Sequence, residues 1–197
     1  MRRALVEAAL HEFAAHGFDA ASTRAIATRA GTHQPQINYH FESKLELWRA
    51  SIDWLFERLD GLMSEAGTAA SPSTRADFAA AIRGLVYAVA RLPELNRIMV
   101  QEATVDSERL AWIVDRHTRR RYETLMVSWD DLRRAGDVPD IDALTAFYSL
   151  VGAASLVYVN APEVRRVVGV DPIDDDFVRR HADAVVTMIL GPTPTTA

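Results

Sequence analysis

Residues 22–44 read STRAIATRAGTHQPQINYHFESK, and their pattern is the most informative in the chain. Ser22 is a favourable helix cap, and Ile26 lies on the apolar face of a short helix that ends at Gly31. A second short helix follows with Pro35 in its first turn, where the missing N–H costs nothing. Two short helices around a glycine turn, preceded by a longer helix, predict a helix-turn-helix.

The second short helix, which begins near His33, carries side chains suited to reading bases. Glutamine and asparagine amides bond adenine N6 and N7 in a bidentate way, and proline contacts the methyl group of thymine. The predicted base readers are His33, Gln34, Pro35, Gln36 and Asn38. The hydroxyl, ring and lysine groups that flank this helix suit phosphate oxygens instead. They belong to Ser22, Thr23, Tyr39, His40 and Lys44.

Helical periodicity continues through the rest of the chain, and no segment shows the alternation of a β-strand. Gly17 ends the first helix, Ser43 caps a long fourth helix, and one long helix is expected from about 107 to 134. A stretch punctuated by proline and glycine, 161–172, is expected to precede the last helix. The chain is therefore predicted to be all-α, with about nine helices.

The composition excludes several classes of protein. The chain has 197 residues, of which 49% are hydrophobic, and it has no cysteine. A packed core is expected, whereas a disulfide scaffold, a cysteine-ligated zinc site and a catalytic thiol are excluded. The first residues lack the apolar core of a signal peptide, and the apolar stretch 143–159 is shorter than the roughly 20 residues that cross a bilayer. We expect a soluble cytoplasmic protein without a membrane partner.

The net charge of −5 is unevenly distributed along the chain. Residues 1–50 contain six basic and five acidic side chains, a charge of +1, and the remainder carries −6. This N-terminal excess is small for a protein that neutralises phosphates. Only Arg2 and Arg3 are expected to precede the first helix, as a short basic arm.

Residues 4–50, ALVEAALHEFAAHGFDAASTRAIATRAGTHQPQINYHFESKLELWRA, resemble the DNA-binding domain of the tetracycline-repressor (TetR) family over its whole length. The resemblance is carried by Gly17-Phe18, Ser22-Thr23 before Ile26-Ala27, Ala30-Gly31, and Tyr39-His40-Phe41 with Ser43-Lys44. It implies that phosphates are held by Thr23, Tyr39, His40 and Lys44. It implies that bases are faced by Arg24, Gln34, Pro35, Gln36 and Asn38. His33 departs from the family, which often has Ser or Asn as this cap, so either Thr32 caps the helix or His33 contacts DNA.

The resemblance also implies a function and a domain organisation. Residues 1–48 would form the helix-turn-helix domain, and residues 49–197 would form a helical domain that binds an effector and dimerises. The expected function is that of a bacterial transcriptional repressor. It would bind operator double-stranded DNA as a homodimer and leave it when a small molecule, not identified by the sequence, binds the C-terminal domain. No enzyme activity, cofactor or metal site is expected.

The last two long helices are the predicted dimer interface. The helix at 143–159 is apolar on nearly all sides, which demands burial on more than one side, and its small residues permit close helix approach. The predicted interface residues are Gly152, Ala153, Ser155, Val178, Val185 and Ile189. The alternative is that these residues form an ordinary core within one chain.

Polar residues interrupt the inward stripe of the helix at 107–134. The apolar part of this stripe comprises Leu110, Val114, Leu125, Trp129 and Leu132. Polar groups on an inward face either bond one another or face a ligand. The hypothesis is an effector pocket near Glu102, His117 and Arg121, walled by Phe78, Ile82, Met99, Trp112 and Tyr148. The alternative is a buried ion pair of Glu102 with Arg121 or His117 that fixes helix packing.

Two further functions stay open at this point. His117 and Glu102 are a candidate acid–base pair for a helical enzyme, although no nucleophile elbow, phosphate loop or paired-carboxylate motif occurs. A ligand-independent DNA-bound or interaction scaffold is the other alternative, because the sequence identifies no effector. The run Asp174-Asp175-Asp176 is expected to stabilise a helix N-terminus rather than to bind a metal.

Overall fold

The computed structural model describes residues 1–68 and 71–192, and within these ranges the chain is helical without a β-strand. The all-α prediction is therefore confirmed. The helices are α1 (Arg2–Ala20), α2 (Thr23–Arg29), α3 (Pro35–His40), α4 (Lys44–Glu65), α5 (Arg75–Arg91), α6 (Pro93–Glu102), α7 (Glu108–Ile113), α8 (Arg119–Ala135), α9 (Ala143–Val159), α10 (Ala161–Val168) and α11 (Asp175–Leu190). A π-helical turn, Val114–Thr118, lies between α7 and α8.

The described residues form eleven α-helices, where about nine were predicted. Two differences account for the excess. The helix expected at 107–134 is divided into α7 and α8 by the π-helical turn. The stretch expected to be irregular contains α10, because Pro162 lies in its first turn and Gly169 ends it at a φ of 69°. Proline and glycine at those two positions delimit a short helix rather than prevent one.

The π-helical turn also changes which side chains are buried on either side of it. An i→i+5 turn contains more residues than an α-helical turn, so the apolar stripe changes phase. Trp129 and Leu132 are buried as predicted, but Ile113 and Met126 are buried where Val114 and Leu125 were expected. The polar interruption of the predicted stripe coincides with this turn.

The chain divides into two compact units that do not follow sequence order. The N-terminal unit comprises Met1–Arg58 and Glu94–Ala111. The C-terminal unit comprises Leu59–Pro93 and the described residues from Trp112 onward. Residues of α6 and α7 thus belong with the helix-turn-helix, and the functional division at residue 48 stays a prediction.

The N-terminal unit is built around side chains that α1 presents at helical spacing. Leu5, Ala9 and Phe13 of α1 are buried, as are Ile26 of α2 and Trp48 of α4. Gly17 has a φ of 73° and a ψ of 172°, which breaks the helical geometry of α1 where the sequence predicted its end. Such a conformation is strained for any residue with a Cβ atom, so Gly17 sets the direction of the chain into α2.

Capping side chains begin several of the helices, and those of Ser22 and Ser43 lie where they were predicted. The Ser22 hydroxyl accepts from the Ala25 N–H at 3.2 Å, and the Ser43 hydroxyl accepts from the Glu46 N–H at 3.1 Å. Asp142 caps α9 and Asp174 caps α11 through their carboxylates. The hydrogen bonds to Thr145 hold the pKa of Asp142 below its ordinary value. Each cap satisfies a backbone donor that the helix itself leaves open.

In the C-terminal unit α5, α9 and α11 pack on one another, and α8 packs on α9. Their buried side chains include Phe78 of α5, Ala154 and Tyr158 of α9, and Val178 and Val185 of α11. Among the described helices, none is by itself long and apolar enough to span a membrane. Only α9 and α10 taken together reach that length and apolarity, and they are bent by 68° at their junction.

Candidate nucleic-acid interface

A buried carboxylate of α1 fixes the start of α2. Glu12 is 9% exposed, and its Oε1 accepts a hydrogen bond from the Ser22 N–H at 3.1 Å. Together with the Ser22 cap, this bond holds the backbone at the point where α2 begins. Glu12 was not among the predicted site residues. A charged residue among the apolar positions of α1 was the signal that could have found it.

One apolar residue anchors α3, and the other side chains of the helix remain outside. Ile37 is 1% exposed, and the buried C-cap residue Phe41 follows the helix. The exposed residues of this segment are His33, Gln34, Pro35, Gln36, Asn38 and Tyr39. All predicted base readers of α3 therefore lie on its exposed surface, where hydrogen-bonding groups are available to a partner.

Neither of the two predicted caps begins α3. The N-cap position is occupied by Gln34, and no side chain accepts a hydrogen bond there. The Gln36 and Ile37 N–H groups are instead bonded to the His33 and Gln34 carbonyl oxygens, at 2.9 and 3.0 Å. The imidazole of His33 thus has no capping role and lies exposed beside the base readers.

A hydrogen bond links a predicted phosphate contact to a predicted base reader. The Gln34 side-chain amide donates to the Thr23 hydroxyl at 3.1 Å, joining the start of α2 to the start of α3. The hydroxyl of Thr23 keeps its own proton for a further acceptor. On the other side of α3, Tyr39 is 80% exposed and its ring packs edge-on against His40, with the centroids 5.0 Å apart.

The remaining basic residues of the interface are distributed over α1, α2 and the start of α4. Arg24 and Arg29 line an open surface concavity with Glu12, Ser22, Ala25 and Thr28. The Lys44 ammonium donates to the Asp19 carbonyl oxygen at 3.1 Å. Arg2 and Arg3, predicted as an arm before the first helix, lie within α1 itself. The Arg2 guanidinium lies 4.9 Å from the centroid of the Phe41 ring, at the end of α3.

Three of the predicted effector residues lie together in the C-terminal unit. The rings of Trp112 and His117 are edge-to-face at a centroid distance of 5.5 Å. Arg121 donates to the His117 carbonyl oxygen at 2.7 Å and to the Asp60 carboxylate at 2.6 Å. His117 belongs to the π-helical turn, which brings residues five apart, such as Trp112 and His117, to the same side of the helix. Arg121 follows four residues later, one α-helical turn along.

The other two predicted effector residues have different surroundings. Glu102 belongs to the N-terminal unit, and both of its carboxylate oxygens accept from the Arg109 Nε, at 3.1 and 3.0 Å. Tyr148 is 63% exposed on α9, so its ring is not the wall of an enclosed cavity within the chain. This corrects the predicted pocket, of which the structure groups only Trp112, His117 and Arg121.

The predicted dimer residues divide into buried and accessible ones. Val178, Val185 and Ile189 of α11 are 1%, 0% and 8% exposed, because they pack inside their own chain. For these three residues the intrachain alternative is the correct one. Gly152 is exposed, whereas Ala153 and Ser155 are half-buried.

The large apolar side chains that α9 does expose share one face. Leu144, Tyr148 and Leu156 are between 57% and 63% exposed, and Val151 is 38% exposed. Steps of four and three residues place Leu144, Tyr148 and Val151 along one side of the helix, and Leu156 lies toward the edge of the same exposed side. On α11 the comparable exposed residue is Met188, at 62%. A surface of this kind on two neighbouring helices is typical of a protein–protein contact.

Comparisons with known proteins agree with this arrangement. The model of the family described as bacterial regulatory proteins, tetR family, matches residues 5–50. A putative fatty acid metabolism regulator from Clostridium perfringens is 16% identical with a TM-score of 0.76, and the match covers 98% of this chain and 100% of that chain. No curated protein sequence matches the chain.

Two further solved structures are similar over nearly their whole length. AibR, in complex with isovaleryl coenzyme A and operator DNA, is 20% identical with a TM-score of 0.75, and the match covers 97% of this chain and 98% of that chain. The fatty acid degradation regulator FadR from Bacillus halodurans is 17% identical with a TM-score of 0.69, covering 98% and 100%. These structures share the fold of nearly the whole chain. The similarity to the tetR family of bacterial regulatory proteins covers residues 5–50.

Proposed function

We propose that the chain is a ligand-responsive transcriptional repressor that reads operator DNA with α3. The observation that carries this proposal is the composition of the α3 surface, where Ile37 is the buried anchor and amide-bearing side chains are exposed. The major groove of B-DNA is wide enough for such a helix and offers each base pair as a distinct set of donors and acceptors. Gln34, Gln36 and Asn38 are the residues expected to read it.

The phosphate backbone is the second partner in this proposal. Tyr39, Thr23 and Lys44 supply a phenol, a hydroxyl and an ammonium around α3, and Arg24 adds a cation at the start of α2. Such contacts fix the orientation of a protein on the duplex without reading its sequence. They also compensate for the small positive charge of residues 1–50, because several phosphates are contacted by neutral donors.

A homodimer through α9 and α11 is part of the same proposal. Two recognition helices must reach successive major grooves, about 34–36 Å apart, to bind two half-sites. The exposed apolar residues Leu144, Tyr148, Val151, Leu156 and Met188 are the side chains expected to meet a second copy. The exposed Gly152 on the same face of α9 allows a close approach of backbones.

The effector is proposed to be a small molecule that contacts the Trp112, His117 and Arg121 group. These residues combine aromatic surface with a cation, a combination that suits an anionic ligand with an apolar part. Acyl coenzyme A thioesters are the first compounds to test, because AibR was solved with isovaleryl coenzyme A. An effector weakens DNA binding only by its differential affinity for the two states of the repressor. We expect no catalytic activity and a cytoplasmic location, where operator DNA lies.

The test is a footprint of the protein on the DNA upstream of its own gene, repeated with acyl coenzyme A thioesters of graded chain length. We expect protection of two half-sites separated by about one helical turn, and release by a subset of the thioesters. Protection that persists with every thioester would contradict the ligand-responsive part, and release by a thioester that is unaffected by Arg121→Leu would contradict the proposed effector site. Absence of any protected sequence in a binding selection from random duplexes would contradict the DNA-reading part.

A further inference from the structure

The end of α1 brings two cations together on one aromatic ring. The ring of Phe18 stacks with Phe13 at a centroid distance of 6.0 Å and meets Trp48 edge-on at 6.1 Å. The Arg109 guanidinium carbon lies 4.5 Å from the Phe18 centroid, and the Lys44 ammonium lies 4.9 Å from it. Both distances are within the range in which a cation is attracted by an aromatic ring. Phe18 therefore connects α7, which carries Arg109, to the first residue of α4.

The position of Arg109 is fixed by a buried partner. Its Nε donates to both carboxylate oxygens of Glu102, whose side chain is 6% exposed. A carboxylate buried to this extent loses a large amount of stabilisation if its cation leaves. The Nη2 atom of the same guanidinium lies 3.7 Å from the Asp19 carboxylate. Arg109 is thus held by α6 and reaches the two residues, Phe18 and Asp19, that lie just after the break in α1.

Lys44 is held by the same two residues. Its ammonium donates to the Asp19 carbonyl oxygen at 3.1 Å while it lies over the Phe18 ring. Lysine has a flexible four-carbon stem, and fixing that stem costs conformational entropy when a ligand is bound. Because an ammonium has three donors, one bond to Asp19 leaves two for other acceptors. An ammonium that is already held loses less freedom when it binds a phosphate.

We propose that Arg109 is a positioning residue for DNA binding, which holds the Lys44 ammonium toward a backbone phosphate through Phe18 and Asp19. This inference rests on the proposed function, in which Lys44 contacts phosphate. Arg109 lies two residues before Ala111, where the chain leaves the N-terminal unit. A displacement of α7 would therefore change the affinity for DNA by releasing Lys44, without any change in the base readers of α3.

The test compares the salt dependence of DNA binding in four proteins: wild type, Lys44→Met, the pair variant Glu102→Gln/Arg109→Gln, and the triple variant that combines them. The pair variant removes one charge of each sign, so the net charge is unchanged and no buried carboxylate is left without its cation. Phe18→Leu removes the ring but keeps the Glu102–Arg109 ion pair, and it serves as a second route to the same effect. Thermal melting of each variant establishes that it is folded.

Loss of one phosphate contact lowers the magnitude of the negative slope of log K against log salt by about 0.9, which corresponds to a roughly tenfold loss of affinity at 0.1 M salt. We expect Lys44→Met to show this change. We expect the pair variant and Phe18→Leu to show at least half of it, and the triple variant to show no more than Lys44→Met. An unchanged slope in both the pair variant and Phe18→Leu would overturn the inference. Additive losses in the triple variant would overturn it as well.

A matched control separates this role from a general attachment of α6 to α1. The His11 Nδ1 lies 3.1 Å from the Glu94 carboxylate, and the Gln101 amide donates to the Ala14 carbonyl oxygen at 3.2 Å. The variant His11→Gln/Glu94→Gln disturbs that attachment and leaves Arg109 in place. We expect its slope to equal that of wild type, and a decrease equal to that of the pair variant would overturn the inference.

The salt slope is measured on the upstream DNA and on a random duplex, because phosphate contacts do not depend on sequence. Equal affinity for both duplexes would contradict the proposed function. The slopes of the variants on the random duplex would still support or overturn the role of Arg109.

Discussion

The helices α3 and α9 expose opposite kinds of surface. On α3 and the two residues before it the exposed side chains bear amides, an imidazole and a phenol, and a single large apolar residue, Ile37, faces inward. On α9 several large apolar residues are exposed although Ala154 and Tyr158 of the same helix are buried. A polar surface on a short helix suits hydrated grooves and phosphates, whereas an apolar surface on a long helix suits another protein surface. One chain thus exposes a polar and an apolar surface on separate helices, which are the surfaces proposed to meet DNA and a second copy of the chain.

The largest effect is expected from a charge on the apolar face of α9. Tyr148→Asp places a carboxylate where the proposed dimer excludes water, so the dimer should dissociate at micromolar protein and operator affinity should fall by at least a hundredfold. Analytical ultracentrifugation and DNA titration measure the two quantities. Val127→Asp is the control, since Val127 is 64% exposed on α8 of the same unit. A dimer of unchanged stability in Tyr148→Asp would remove α9 from the interface.

The polar surface of α3 is tested by comparing a predicted base reader with a predicted phosphate contact. Asn38→Ala should lower affinity for the preferred sequence by about 1–3 kcal/mol and relax the preference at one base pair. Tyr39→Phe removes one hydroxyl and should lower the affinity for all duplexes by the same factor, because phosphate contacts do not read the sequence. This factor should be smaller than the effect of Asn38→Ala on the preferred sequence. Binding selections from random duplexes measure both preferences. An unchanged preference in Asn38→Ala would exclude that residue from base readout.

The regions that carry the two surfaces also differ in how well the sequence predicted them. The helix-turn-helix is specified by local signals, namely the caps Ser22 and Ser43, the glycine break at Gly17 and the Pro35 turn, and these lie where they were predicted. The helices of the C-terminal unit are different. Because α9 is apolar on nearly all sides, its sequence does not distinguish the side facing its own chain from the side facing a partner.

Three particular residues illustrate the limit of the sequence pattern. Val185 of α11 was predicted at the dimer interface, but it is completely buried in its own chain because α5 and α9 both pack on α11. Tyr148 was predicted inside a pocket and is exposed. The partner of Glu102 is Arg109, seven residues along the chain, and a sequence of polar residues does not indicate which of several arginines reaches a given carboxylate.

A smaller effect is expected from the residue that caps the end of α11. The Arg75 guanidinium donates to the carbonyl oxygens of Asp137, Leu190, Gly191 and Pro192, at 2.6 to 3.2 Å. Arg75→Met leaves these carbonyls without a charged donor, so the free energy of unfolding should fall by about 2 kcal/mol. Denaturant unfolding measures it, and the Kd for a random duplex should be unchanged at equal dimer concentration.

Arg83 is the matched control on the same helix. Its side chain forms one exposed ion pair with Asp183 at 2.8 Å. Exposed pairs contribute little, so Arg83→Met should lower the free energy of unfolding by less than about 1 kcal/mol. Equal losses in the two variants would contradict a capping role for Arg75.

The smallest effect concerns the pH dependence of the packing between α9 and α11. The Tyr158 hydroxyl lies 2.9 Å from the His181 Nδ1, and burial lowers the pKa of His181 despite a hydrogen bond with the Ala153 backbone. The unfolded chain therefore takes up the proton first, near pH 6.5, and this contribution to stability is lost as the pH falls toward the lower pKa of the folded state. His181→Gln should reduce the acid-induced loss of unfolding free energy between pH 7.5 and pH 5. An identical loss in both proteins would show that His181 does not contribute.

The most direct test of DNA recognition by α3 is a fluorescence anisotropy titration of the wild-type protein. The two probes are the DNA upstream of its own gene and a scrambled duplex of equal length and composition, at the same salt concentration. We expect cooperative binding of a dimer to the upstream DNA with a Kd at least a thousandfold below that for the scrambled duplex. Equal, weak binding to both would contradict it, and the base-reading roles of Gln34, Gln36 and Asn38 would then be withdrawn.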